Sequence, residues 1–389
     1  MTHEQLDHLK KLVLESGPAR AIETLCTELE AKADYNKLFY ALIMKARQSM
    51  GLCVVPTAPT DEIPREKHDE FEEVIRNSAR RCADLHLATN DLEQAWNFYK
   101  MIGETEPIKS VIDNLDPKPE DDLEVAIRLA FYEGLNMARG YEWILERYGL
   151  CNAITTLTSQ DFSHMPAVRE HCLQKLIEAL YTELALRLRG EIEHREGNTK
   201  SIDSIPVGKP GEVVELIKGR EWLFAEDGYH IDLSHLSSTV QMSIHLAPCE
   251  ALDRAIEFCE YGKKLSGRFL GRSEPPFENL YEGYQRYLEI IKGKDVEKNL
   301  DYFRQKAKEN EENGSSYPAE ILLQILERIG HEKEALQLAG KTLNASGLYG
   351  MCRKVGDYSS MEKAARTQED PIHFLSAVIE NAKAMQKQA

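Results

Sequence analysis

Along most of this chain apolar residues return every three or four positions, the spacing that gathers them on one face of an α-helix. Residues 317–343, YPAEILLQILERIGHEKEALQLAGKTL, show the unit most clearly. Ala319, Leu322, Leu323 and Leu326 share one face of a first short helix. A turn follows at Gly330, and Ala335 and Ala339 then sit one turn apart on a second helix. Side chains that small let another helix pack closely.

The same grammar runs through the N-terminal part. Helices are predicted over 3–16 and 19–31, separated by Gly17-Pro18, with Ala21 and Leu25 in the positions that Ala335 and Ala339 hold later. A third covers 35–50. Residues 51–64, GLCVVPTAPTDEIP, carry three prolines that exclude a continuous helix. Their first part is too apolar for a free linker, so they are expected to lie across a helical surface. A long helix over 66–88, a turn at Asn90-Asp91 and a shorter helix over 92–102 make a further pair.

The run ATNDLEQAWNFYKMIGETEP resembles the second half of a tetratricopeptide repeat, in which an alanine is followed four residues on by an aromatic and later by a closing proline. Ala95, Tyr99 and Pro107 stand at those offsets. In the first helix Ala83 replaces the usual glycine and His86 the usual tyrosine. Paired positions recur at Ala255 and Cys259, Asn299 and Phe303, Ala335 and Ala339, and Met361 and Ala365, with Pro371 beyond. Their first members stand 44, 36 and 26 residues apart, where a regular array keeps near about 34. The resemblance covers about half the chain, 66–107 and 233–371. It implies an all-α fold, an α-solenoid of divergent tetratricopeptide-like hairpins.

The middle follows another pattern. Residues 166–195 read as one helix of about 45 Å at the usual rise per residue. Cys172, Leu176, Leu180, Leu184 and Leu188 form its stripe, which drifts around the helix and so is not a coiled-coil seam. Residues 194–212, HREGNTKSIDSIPVGKPGE, are polar and are expected to be a mobile loop or linker. The organisation expected is 1–110, N-terminal helical repeats; 111–212, a middle helical region; and 213–389, C-terminal repeats.

Charge narrows the partners. With 48 Lys and Arg against 65 Asp and Glu the net charge is −17, which argues against nucleic acid and against anionic membranes. No apolar run approaches the roughly 20 residues needed to span a bilayer, and the first residues lack the apolar core of a secretory signal. Eight scattered cysteines with no CxxC pair fit a reduced, cytoplasmic setting.

Chemistry concentrates in residues 222–245, WLFAEDGYHIDLSHLSSTVQMSIH. A helix starting near Asp232 would bury Leu233, Leu236, Val240 and Ile244 and turn His235, Ser238, Met242 and His245 the other way. His230, Asp232 and His235 are the imidazole–carboxylate set that suits iron, manganese or zinc. The same residues also read as a helix cap at Asp232 with histidines lining a groove or bonding loop backbone. Cys151 is a nucleophile only if a base stands beside it. His164 and His171 read as solvated surface, as do the acidic clusters at 66–73 and 309–312. No phosphate loop, dinucleotide fingerprint, HExxH or GxSxG occurs, and no cofactor is expected.

The leading expectation is a helical-repeat scaffold or adaptor that binds a protein or peptide on its concave face. In the helix containing Tyr284, Tyr287, Leu288 and Ile291 as its inward side, Glu282, Gln285, Glu289 and Lys292 would face that partner, joined by His235, Ser238 and His245. An ordinary solvated face fits the first four equally well. The acidic balance favours a basic or mixed-charge ligand. The alternative is a helical metal-dependent enzyme or sensor at His230, Asp232 and His235, and homo-oligomerisation is a third reading.

Overall fold

The computed structural model describes residues 1–60, 63–197, 202–269, 273–311 and 315–388. Among these every regular element is a helix and there is no strand. None of the described helices is long and apolar enough to cross a membrane. By internal contacts the chain divides into two units, Met1–Ile144 and Leu145–Ala389.

The first unit contains α1 (His3–Ser16), α2 (Pro18–Ala31), α3 (Tyr35–Ser49), α4 (His68–Ala88), α5 (Leu92–Ile102), α6 (Glu106–Asn114) and α7 (Glu124–Ile127), which widens into a π-turn over Arg128–Tyr132. Consecutive helices from α1 to α5 pack against one another. In the α4–α5 pair Ala83, Ala95 and Tyr99 are buried. His86 fills an aromatic place, edge-on to Tyr35 at 4.9 Å and stacked on Phe98 at 5.8 Å, with Nδ1 3.1 Å from Asp91 Oδ2. Pro107 does more than close α5: it opens α6, where its missing N–H is harmless.

The proline-rich segment does lie across helices. Arg47, 1% exposed, donates from Nε to the Cys53 carbonyl at 2.6 Å, and Ile63 joins a core with Ile43, Met50 and Phe71. Asp61 and Glu62 of that segment lie outside the described residues.

α8 (Met137–Ser159) runs into the second unit and kinks at Gly149, whose φ of 74° and ψ of −177° lie in a region open essentially to glycine alone. The second unit continues with α9 (Pro166–Glu196), α10 (Glu212–Ile217), α11 (Leu233–Met242), α12 (Glu250–Gly262), α13 (Leu280–Lys292), α14 (Val296–Glu311), α15 (Tyr317–Arg328), α16 (Glu332–Thr342), α17 (Ala345–Val355), α18 (Ser359–Thr367) and α19 (Pro371–Gln388). From α11 onward each helix packs on the next, and often on the one after: α11 on α13, α13 on α15, α16 on α18, α17 on α19. That succession is compatible with a helical repeat. All eight paired positions from Ala255 to Ala365 are buried.

Two expectations change here. In α15 the buried surface also takes in Ile321 and Ile325, because α13, α14 and α16 approach from different sides. Of the polar stretch, 194–196 end α9, and the described residues 202–212 are not loose. Arg189 donates to the carbonyls of Ile202 at 3.2 Å and Ile205 at 2.9 Å, and Arg254 holds the Gly208 carbonyl at 2.8 Å. Residues 198–201 of that stretch lie outside the described residues, as does Glu312 of the second acidic cluster.

The strongest tie is Glu257 of α12, 5% exposed. Its carboxylate accepts the backbone N–H of Gly211 and, at 3.0 Å, that of Val213, so it caps the N-terminus of α10 from a neighbouring helix. The Tyr181 hydroxyl lies 2.8 Å from it and 3.0 Å from the Lys209 carbonyl. Beside it Arg189 pairs at 2.6 Å with Glu212, whose side chain is fully buried.

Candidate functional site

Residues 222–245 wrap around the end of α12 before entering α11. Glu226 and Asp227 both take positive φ, 54° and 63°, uncommon for side-chain-bearing residues. Asp227 is tied to Arg268. His230 is then drawn inward, 6% exposed. Its backbone N–H donates to the Tyr261 hydroxyl at 2.8 Å, and that hydroxyl faces Nδ1 at 3.0 Å. The other ring nitrogen, Nε2, lies 3.0 Å from Glu191 but off the line of a good hydrogen bond. Burial pushes the imidazole below its usual pKa, and Glu191 opposes that only in part.

Asp232 caps α11 as the plainer reading expected. Its Oδ1 accepts from the N–H groups of Ser234 at 2.8 Å and His235 at 3.2 Å. The Ser234 hydroxyl, then these backbone donors, hold its carboxyl below the ordinary range. His230, Asp232 and His235 do share a cavity of about 700 Å³, together with Cys151 and Tyr148 from the α8 kink. His230 turns to Tyr261 and Asp232 to the α11 backbone, however, and among the described residues no three His, Cys, Asp or Glu side chains gather as a metal ion requires. Of the cavity's other charged residues, Arg187 and Glu183 pair with each other at 2.6 Å. His164 is exposed and His171 is half-buried.

The four residues expected on one face of α13 are divided by the structure. Gln285 and Glu289 are buried, 9% and 8% exposed. Glu289 accepts from Gln285 at 3.1 Å, Lys294 at 2.8 Å and Asn299 at 3.1 Å, and Gln285 also reaches Glu260 at 2.6 Å. Burial by itself would raise the Glu289 carboxyl, but these donors bring it below the usual range. A single helical wheel shows one buried side. α13 has α12 and α14 as well, so a second, polar side is closed off. Glu282 is half-buried against Arg286 at 2.8 Å, and Lys292 is exposed and paired with Asp253 at 2.5 Å. Ser238 is half-buried.

A groove the sequence did not mark runs where α14, α15 and α16 meet, with a volume of about 550 Å³. Ala307, Ala319, Leu322 and Leu338 form its apolar lining, and Arg304, Lys308, Glu311 and Lys341 stand at its edge with Ser315 and Ser316. Arg304 is neutralised by Glu334 at 2.7 and 2.8 Å. Lys308 and Lys341 have no carboxylate partner among the described residues. The signal for this groove was present only as small and apolar residues on three separate helices.

A smaller pocket of about 250 Å³ receives His245, between α9, α11 and the end of α8. Arg169 Nη1 lies 3.2 Å from its Nδ1. Comparison with known proteins adds no family to this geometry: no family model, no curated protein and no solved structure matches the chain.

Proposed function

We propose that the chain is a divergent tetratricopeptide-like scaffold, an α-solenoid whose concave side binds a protein or peptide. The observation that carries the reading is the groove of α14–α16, apolar on its floor and bordered by Lys308 and Lys341, with Glu311 also at its edge. Its size falls within the range of ordinary ligand pockets, about 300–1,000 Å³. The bound segment is a short peptide offering an apolar side chain to Leu322 and Leu338 and a carboxylate to the two lysines. On a chain of net charge −17 two lysines at one edge, with Glu311 beside them, set the orientation of an incoming segment of mixed charge. That none of the eight cysteines is in a disulfide is in keeping with a cytoplasmic place of action.

The test places a photo-crosslinking residue at position 319 in the groove and, as control, at the exposed position 324 on the far side of α15, in cells producing the full chain. Adducts at 319 that disappear with Lys308→Glu and Lys341→Glu support the reading. Equal adducts at 319 and 324, or adducts indifferent to the lysine changes, remove it.

A further inference from the structure

The pocket around His245 holds charge of one sign. Arg169 Nη1 lies 3.2 Å from His245 Nδ1 and 3.4 Å from Nε2. From α15, Arg328 donates to the carbonyls of Ile244 and Leu246, the peptide groups on either side of the same histidine. Among the described residues neither guanidinium is paired with a carboxylate. The two acids at hand form no ion pair with either guanidinium: Asp161 accepts from Ser163 and meets Arg169 only through space, and Glu170 accepts from the Ala247 N–H at 3.1 Å. Arg169 also stands in the first turn of α9, which contains no acidic residue. A cation there meets the positive end of a 31-residue helix rather than being relieved by it. Desolvation by the surrounding protein, then Arg169 and Arg328, push His245 down to about 4, although the residue itself is exposed.

Leu157, Leu173 and Met242 give the rest of the pocket an apolar wall, and Thr158 and Gln160 add polar groups beside it. Its volume of about 250 Å³ is below the span of ordinary drug-sized sites, about 300–1,000 Å³, and limits the occupant to a few heavy atoms beyond an anionic head. A flat guanidinium fork matches a carboxylate with two parallel hydrogen bonds.

We propose that this pocket binds the carboxylate of a small organic acid, held by Arg169 with its short apolar tail against Leu157, Leu173 and Met242. The bound anion supplies the negative charge that the cluster lacks, and His245 becomes a second donor once protonated. The site lies apart from the α14–α16 groove, and its test does not depend on peptide binding there.

The full chain is titrated with butyrate, with the neutral isostere butyramide and with inorganic phosphate at constant ionic strength, while the His245 imidazole is followed by NMR and assigned with His245→Gln. Butyrate is expected to bind saturably and to raise the His245 midpoint by about one pH unit or more, whereas butyramide leaves it in place. Arg169→Met is expected to weaken butyrate at least about tenfold. Arg169→Lys, which keeps the charge and loses the fork, provides the comparison if the methionine variant does not fold, and is expected to weaken butyrate several-fold. No saturable response to butyrate, an undiminished response in both arginine variants, or a response to phosphate alone overturns the proposal.

Discussion

Two ionisable clusters in the second unit, around Glu257 and around His245, solve opposite problems. At Glu257 a buried carboxylate is met by backbone donors and a tyrosine hydroxyl, with a buried Arg189–Glu212 pair beside it. Each charge there is matched by a group whose only other option is to be unsatisfied. At His245 one guanidinium lies against the imidazole and a second holds the carbonyls on either side, and among the described residues no carboxylate forms an ion pair with either. A satisfied cluster holds a fold in place. An unbalanced one keeps free energy in reserve for a ligand of the missing sign.

The largest effect that would break this contrast is expected at Glu257. Glu257→Ala strips the cap from α10 and leaves the Gly211 N–H without its acceptor. The Val213 N–H is left with only the Tyr181 hydroxyl, and that hydroxyl with only the Lys209 carbonyl. A loss of about 3 kcal/mol is expected in urea unfolding, and a loss below about 1 kcal/mol would mean that water already serves these donors. Asp232→Ala should cost less, about 1 kcal/mol, the usual worth of an N-cap. Its pH dependence has a definite sign. The folded carboxyl titrates below its unfolded value, so its contribution is present above about pH 4 and fades as the pH falls through the folded value. Wild type and Asp232→Ala should therefore converge in acid, and a gap that stays constant to pH 2 would assign the loss to packing. The smallest effect belongs to the other cluster. Arg169→Met keeps apolar bulk near Phe162 and removes a cation with no ion partner, so stability should stay within about 0.5 kcal/mol of wild type. A cost above about 2 kcal/mol would show that the guanidinium is structural and erase the contrast.

Much of the helical plan was legible because short-range spacing decides it. The 31 residues of α9, the cap at Asp232 and the buried pairs from Ala255 to Ala365 all follow from which side chains share a face. His86 was seen only as a departure from a tyrosine pattern, and its ring filled the aromatic place all the same. The partner face drawn on α13 failed at Gln285 and Glu289 for a definite reason. A wheel of one helix cannot show that Glu260 and Asn299 arrive from α12 and α14 to satisfy polar side chains and bury them. The residues 202–212 misled in the same way, since polarity suggested freedom while the anchors, Arg189, Arg254 and Glu257, lay elsewhere in the chain.

By itself, then, the sequence determined that this chain is helical, where most helices start and stop, and which small residues lie between them, because those outcomes depend on neighbours within four positions. Tertiary structure alone decided which charges are matched. Glu257 meets Gly211 across 46 positions and Arg169 meets His245 across 76, and no local pattern records whether such distant groups will satisfy or oppose each other.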